Sequence, residues 1–407
     1  MAPLVDLAGD PHAFAEDDYE EVNATYFSDL LGSRSWSALP AGWHNPHSKA
    51  AERFVRPELT SQDHQQYALD EGTALGTRKE AIVALASAWE NRGLHWDEVT
   101  LCPSVSCANL ALLCAMKRRG IHRIVFETPA YFATVEQARL LGFEVVRVPS
   151  RRSNGFNVSV DVFVALARER EHSAVWLTQP RFGIGTDQSL PRIQALAAAL
   201  GRKHSIVLDE AGEQRHPSTL CTLDDAECDV VRTRGLVKGI GLNGLRISFI
   251  LHPRHWRDDL ERVLETAGAS IDRYSLSSAT DLAALPNLLP SLLAVANDQV
   301  CSLRRQLEVQ LLGGWAVPTP LHNSYIGTVI LDLSDLPGGY REQRVALLEE
   351  CRALAMPIVL RASIGFAFDP SWEGVRMNYF TPAENVVETG RLLNEAWVGV
   401  QRRLSQA

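Results

Sequence analysis

Asp209 closes the apolar run "SIVLD", and Lys238 stands in the glycine-rich loop "RTRGLVKGIGLNGLR", which ends on Arg246. Ser104 and Ser106 open the segment "SVSCANLALL", and Tyr131 lies in "TPAYF". Each side chain has a definite chemical use. A carboxylate at a strand end faces a ring nitrogen and keeps it protonated. A lysine amine forms an imine with an aldehyde. Small hydroxyl residues at a helix N-terminus, with their free N–H groups, hold a phosphate, and an arginine adds a bidentate contact. An aromatic ring stacks on a flat heterocycle.

Phosphate, protonated pyridine, aldehyde and flat ring together describe pyridoxal 5′-phosphate. Taken singly, each residue has a plainer use. A lysine in a glycine-rich loop is ordinarily a solvated charge, a tyrosine beside a strand is ordinarily core packing, and a strand arginine is ordinarily on the surface. Glu210 follows Asp209 but points to the other face of a strand, so it reads as structural.

The elements that must position these residues follow from the hydrophobic pattern. Strands are expected at 122–127 ("HRIVFE"), 143–149, 174–180, 205–211, 229–235 and 245–251, with helices at 131–142, 160–171 and 190–204 between them. Strands alternating with helices predict a largely parallel sheet with helices on both faces. Continuous apolar strands such as "SIVLD" fit a sheet buried on both sides. Ligands of such sheets sit beyond the carboxyl ends of the strands, where Asp209, Tyr131 and the turn at 179–185 fall. Helices at 253–266 and 286–312 follow, then a smaller α+β part containing "SYIGTVILDL" and "GVRMNYF".

Composition narrows the class. The chain has 407 residues and a net charge of −9, without a block of like charges. That argues against nucleic acid as a partner. The seven cysteines are scattered and form no C-x-x-C pair, so no zinc site or dithiol is expected. No apolar run reaches membrane-spanning length. The first twenty residues lack a basic targeting region, and a cytoplasmic location is the expectation.

The order of motifs resembles the fold-type I pyridoxal-phosphate enzymes of the class I/II aminotransferase group, from about Tyr67 to Asn385. "YALDEGTALGTRKEAI" is similar to the family's Y-x4-G…R-x2-I pattern, "SVSCANLAL" to its phosphate-loop helix and "ETPAYF" to its P-x-Y segment. "TQPRFGIG" resembles N-P-x-N-P-T-G, "LDEA" the D-E-A strand end, and "VKGIGLNGLRISFI" the S-K-x-x-G-L-x-G-L-R-x-G block. "VRMNYFTPAENV" resembles the late segment whose arginine holds a substrate carboxylate.

The resemblance implies a role for each position. Lys238 would be the Schiff-base lysine and then the base at Cα, reached through an external aldimine with an L-amino acid. Asp209 would pair with the pyridinium nitrogen and Tyr131 would stack on the ring. Val105, Ser106 and Arg246 would hold the phosphate. Tyr67 would reach the phosphate of a neighbouring subunit, which implies a homodimer with shared active sites. Arg376 would clamp the α-carboxylate. The implied layout is an N-terminal arm or part of the small domain (1–50), a large cofactor-binding domain (51–295) and a small C-terminal α+β domain (296–407).

Some positions depart from the pattern. The second Asn of N-P-x-N-P-T-G aligns with Phe182, and the Tyr after D-E-A aligns with Gly212, so both usual donors to the ring hydroxyl oxygen are missing in register. Gly235 and Val237 stand where hydroxyl residues precede the lysine. Gln179, Arg181 or Gln214 are the available substitutes. The expectation is an aminotransferase-like enzyme, either a transaminase or one diverged to β-elimination (C–S lyase), cyclisation or oxidative decarboxylation or deamination in natural-product biosynthesis. The alternative is an idle cofactor-binding regulatory domain. Trp43, His44, Asn45, Arg273 and Tyr274 (the last two in a "DRYSLSS" loop) are the candidates for side-chain selection.

Overall fold

Short continuous apolar runs make the centre of the large sheet. The structure is a computed structural model. It describes residues 80–406 apart from 81–82, 88–89, 91, 214–219, 221–222, 224–226, 236–244, 270, 284–287, 319–324, 355, 357, 359–370 and 380. Tyr67, Lys238, Gln214, Val237 and the 43–45 segment therefore lie outside the described residues.

The chain runs from β1 (Val99–Cys102) through α1 (Val105–Arg118), β2 (Arg123–Thr128), α2 (Phe132–Leu140) and β3 (Glu144–Pro149). It continues through α3 (Val160–Arg168), β4 (Ser173–Thr178), α4 (Leu190–Leu200), β5 (Ser205–Glu210), β6 (Asp229–Gly235) and β7 (Ser248–Leu251). These strands form one seven-stranded sheet in the order β1-β7-β6-β5-β4-β2-β3. The run β6-β5-β4-β2-β3 is parallel, and β7 is antiparallel to both its neighbours. The chain steps outward from β2 to β3 and then returns to the other side of β2 with β4. That reversal is the switch point at which such sheets open a crevice for a ligand.

Helices cover both faces. On one face Ala108, Leu112 and Met116 of α1 pack on Ile124, Phe126, Trp176, Val207 and Val231. On the other, Phe163 of α3 and Ile193 and Leu196 of α4 pack on Val125, Val175, Leu177, Ile206 and Leu208. The alternation along β5 therefore sends Val207 and Asp209 to the α1 face and Leu208 and Glu210 to the opposite one.

Three helices, α5 (Arg257–Thr266), α6 (Arg273–Ala283) and α7 (Leu288–Gln310), lead to a second sheet. Its strands are β8 (Trp315–Ala316), β9 (Ile326–Asp332) and β10 (Trp372–Asn378), antiparallel in the order β10-β9-β8. Helices α8 (Tyr340–Ala353) and α9 (Ala383–Gln406) cover it, with Leu347, Leu393 and Val400 packed on Val329, Leu331 and Val375. Among the described residues no helix is long and apolar enough to cross a membrane.

One expected loop is a helix. "DRYSLSS" opens α6, because the Asp272 carboxylate accepts the Ser275 N–H at 2.8 Å and caps the first turn. Two short strands, β1 and β8, also exceed the expected set. Each runs antiparallel to a longer strand and takes its conformation from that pairing.

Candidate active site

The site is built around the first turns of α1. Ser104 has extended backbone and caps the helix, its Oγ accepting the Cys107 N–H at 3.2 Å. The Ser104 carbonyl takes the Ala108 N–H at 2.8 Å. The N–H groups of Val105 and Ser106 belong to the first turn and lie outside the helical ladder, as an anion site requires. Val105 is buried and Ser106 half-buried. Burial pushes the Cys107 thiol above its ordinary value, and the Arg246 guanidinium nearby pulls it down. That interaction places exposed Arg246 at the mouth of α1, with its backbone N–H on Ser275 Oγ at 2.9 Å.

Asp209 lies one helical turn further in. It is the penultimate residue of β5, is 2 % exposed, and its Oδ1 accepts the Ala211 N–H at 3.0 Å. Its Oδ2 accepts Asn109 Nδ2 of α1 at 3.0 Å, and the same amide nitrogen donates to Thr134 Oγ1 of α2 at 3.0 Å. Neither Asn109 nor Thr134 stands out as a site residue in the motif reading. The available signal is a polar side chain at a buried position of an otherwise apolar helix face: Val105, Asn109, Leu112 and Met116 are all buried. Gln137 Nε2 on α2 also reaches the Ser106 carbonyl at 3.4 Å. Thus α1 and α2 are tied together next to the α1 N-terminus.

Tyr131 precedes α2, after a cis Thr128–Pro129 bond. Its ring is half-buried and lies 5.6 Å from that of Phe182 and 5.1 Å from that of Phe132. Phe182 therefore meets Tyr131 and presents an apolar edge where the family pattern has an amide.

Of the proposed substitute donors, Gln179 and Arg181 are otherwise engaged. Gln179 is fully buried; its Nε2 donates to Asp187 Oδ1 at 2.8 Å and to Glu213 Oε2 at 3.1 Å, while its Oε1 accepts the Gln188 N–H at 2.8 Å. Arg181 points into a buried network. It donates to Asn157 Oδ1 at 2.7 Å, to Gln188 Oε1 at 3.2 Å and to the Asp187 carbonyl, with Glu127 at 3.7 Å. Arg192 of α4 joins it through Glu127 at 2.8 Å. Arg181 is thus a brace of the 179–188 turn.

Gly185 of that turn makes room for protein. Gly185 has φ +80°, and a Cβ there would sit 2.8 Å from Arg304 Nη2 and 3.1 Å from the Ile326 carbonyl. Thr328 of β9 donates its hydroxyl to the Gly183 carbonyl. The small sheet is therefore docked on the turn that follows β4. Arg376 is half-buried on β10 directly opposite Thr328. It acts on Tyr325, whose hydroxyl burial pushes up and the Arg376 charge pulls down. The turn is bound at its other end to the site, since the Gln179 N–H donates to the Asp209 carbonyl at 2.8 Å.

Behind Asp209 is a charged cluster on the opposite sheet face. Arg232 of β6 donates to Glu90 and pairs with Glu210 at 2.7 Å, and Arg234 reaches Glu90 at 3.2 Å. Glu210 is structural, as its position on the strand predicts. Burial works against the Arg232 cation, but Glu210 and Glu90 more than compensate and hold it well above its ordinary range.

The donor set suits pyridoxal phosphate: free N–H groups and a cation for phosphate, a buried carboxylate for the ring nitrogen, and aromatic walls between them. Among the described residues no group of His, Cys, Asp and Glu could hold a metal ion.

Comparison with known proteins agrees. A family profile for aminotransferase class I and II matches residues 56–318, more than half of the chain. Histidinol-phosphate aminotransferase of Halorubrum lacusprofundi is 31% identical over 222 residues, which is 54% of this chain and 57% of that protein. The Thermobifida fusca protein of the same name is 34% identical over 137 residues, 32% of this chain and 36% of its own length. The matches thus span between about a third and a little over half of these relatives. Among solved structures, Thermus thermophilus aspartate aminotransferase with maleate superposes with a TM-score of 0.70 at 17% identity, covering 92% of this chain and 96% of that one. BacF of Bacillus subtilis gives 0.69 at 14% identity, covering 92% and 94%. These two likenesses speak for the fold alone. With the family profile they lead to one conclusion: the chain belongs to the class I and II aminotransferases, fold-type I enzymes whose cofactor is pyridoxal 5′-phosphate.

Proposed function

We propose that the protein uses Lys238 and pyridoxal phosphate to transform an L-amino acid at Cα. The observation that carries this reading is the buried Asp209 carboxylate at the end of β5, held by the helix whose N-terminus offers the anion site. When bound, the cofactor supplies a sink for the electron pair left at Cα. Asp209 keeps the proton on the ring nitrogen. The Lys238 amine anchors the cofactor and then moves the Cα proton. Val105, Ser106 and Arg246 fix the phosphate, with Tyr67 of a second subunit reaching it in a homodimer. Tyr131 and Phe182 form an apolar wall that excludes water from the ring. Arg376 receives the substrate carboxylate. A division into residues 1–50, 51–295 and 296–407 is supported by the core of the small sheet, which starts at Ala296.

Transamination is the reaction that the relatives' names support. The apolar edge at Phe182 and the absence of a side chain at Gly212 favour a second reading, a diverged lyase or oxidative reaction on an amino acid in natural-product biosynthesis. The purified protein should be yellow, and Lys238→Ala should remove that absorbance and all turnover. A colourless wild-type protein that binds no cofactor would overturn the proposal. Incubation with an amino-acid panel separates the reactions: glutamate formed from a keto acid means transamination, while pyruvate, carbon dioxide or peroxide means the diverged chemistry. Turnover of no amino acid would favour an idle domain.

Arg376→Ala should raise KM for the amino acid about 10- to 100-fold with a smaller effect on kcat, since a charge-assisted carboxylate contact is lost in ground and transition states alike. Unchanged KM would remove Arg376 from the carboxylate site.

A further inference from the structure

We infer that Asn109 is a positioning residue for the cofactor, acting through Asp209. This rests on the reading that Asp209 faces the ring nitrogen, and it adds what aims that carboxylate. Asn109 is fully buried in the second turn of α1, the helix whose Ala108, Leu112 and Met116 belong to the apolar cluster of that sheet face. Asparagine is a poor helix former, and its amide is costly to bury unless its groups are bonded. Its Nδ2 bonds Thr134 Oγ1 and Asp209 Oδ2, both at 3.0 Å. Its Oδ1 is buried without a partner among the described residues. A leucine would satisfy the packing at this place without that cost. With Asp209 ionised, as the proposed function has it, the carboxylate only accepts hydrogen bonds and the amide turns its nitrogen to it.

The geometry gives the amide two tasks. Beside the Ala211 N–H on Oδ1, it supplies a further donor to a carboxylate that is 2 % exposed, and donors of this kind favour the ionised form. It also sets distance. Asn109 lies four residues after Val105, so one helical turn joins the phosphate end of the site to the ring-nitrogen end. Thr134 fixes the amide from α2, the helix that Tyr131 precedes. Phosphate, ring nitrogen and ring face are then gauged by one rigid unit, α1 with α2.

The test measures cofactor affinity, by titrating the apo protein with pyridoxal phosphate, in a double-mutant cycle. Asn109→Leu keeps the shape and removes the donor. It should weaken binding about tenfold, the weight of one hydrogen bond to a charged group. On the Asp209→Ala background the same change should have an effect of less than twofold. Apo-protein melting temperatures report whether the variants fold. If Asn109→Leu does not fold, Thr134→Val carries the test at smaller amplitude, about threefold on wild type and none on Asp209→Ala. Wild-type affinity in Asn109→Leu, with affinity lost in Asp209→Ala, would overturn the inference and leave the ring-nitrogen reading intact. Equal losses on both backgrounds would reduce Asn109 to a packing residue. Wild-type affinity in Asp209→Ala itself would overturn the underlying reading.

Discussion

Asp209→Ala should lower kcat for the amino acid identified in the panel by on the order of 10²–10³-fold or more, with the protein still folded. Charge stabilisation aimed at the reacting system is the largest single contribution that a side chain makes to catalysis, and removing one such group has effects of this size. On the proposed reading the carboxylate keeps the ring nitrogen protonated, so its loss would weaken the electron sink on which bond cleavage at Cα depends. The substitution also strands the Asn109 amide and the Ala211 N–H, both of which now bond the carboxylate. Steady-state kinetics, with far-ultraviolet circular dichroism as the control for folding, decides the matter. Full activity in the variant would remove Asp209 from the chemistry.

Glu90→Leu should be the most destabilising single change on the opposite face of the sheet. Glu90, Glu210, Arg232 and Arg234 form one buried network of two carboxylates and two guanidinium groups, in which Glu90 bonds both arginines and Arg232 both carboxylates. Removing one member of such a cluster leaves a buried charge uncompensated, at a cost of about 3–5 kcal/mol. The denaturant midpoint of the large domain should fall accordingly, with little change in slope. Glu90→Leu combined with Arg234→Leu restores the balance of charge and should recover at least part of the loss. A midpoint within error of wild type for Glu90→Leu would show that the cluster contributes nothing. The consequence reaches the site, since the cluster clamps β5 to β6 behind Asp209, and β6 ends three residues before Lys238.

Six strands of the seven-stranded sheet were legible because they are largely apolar runs that alternate with amphipathic helices. Strand ends moved by one or two residues, except that the strand expected from 245 begins at Ser248. What escaped was set by tertiary pairing. β1 and β8 are too short to carry a period, and α6 is a serine-rich helix whose start depends on a single Asp272 cap. The positions of Ser104 at the start of α1 and of Asp209 near the end of β5 were legible, because residue type and topology coincide there. Arg181 was misjudged, since spacing does not reveal that it turns inward to Glu127, Asn157 and Gln188. Nor does spacing show that the glycines at 183 and 185 admit the small sheet and Arg304. Asn109 was passed over because a single polar residue in an apolar helix acquires meaning only when its partner 100 positions later is seen across the sheet.

The central claim is that Lys238 carries the cofactor, and the chain makes it sharply testable because it has only five lysines, at 49, 79, 117, 203 and 238. Lys117 is committed to the Gly142 carbonyl at 2.7 Å on the outside of α1. Borohydride reduction of the yellow holoenzyme fixes the cofactor on whichever lysine bears it, and peptide mass mapping then reads the position. The account predicts a phosphopyridoxyl group on Lys238 at close to one per chain and none on the other four. A label on a different lysine, or no label on a protein that binds the cofactor, would contradict it.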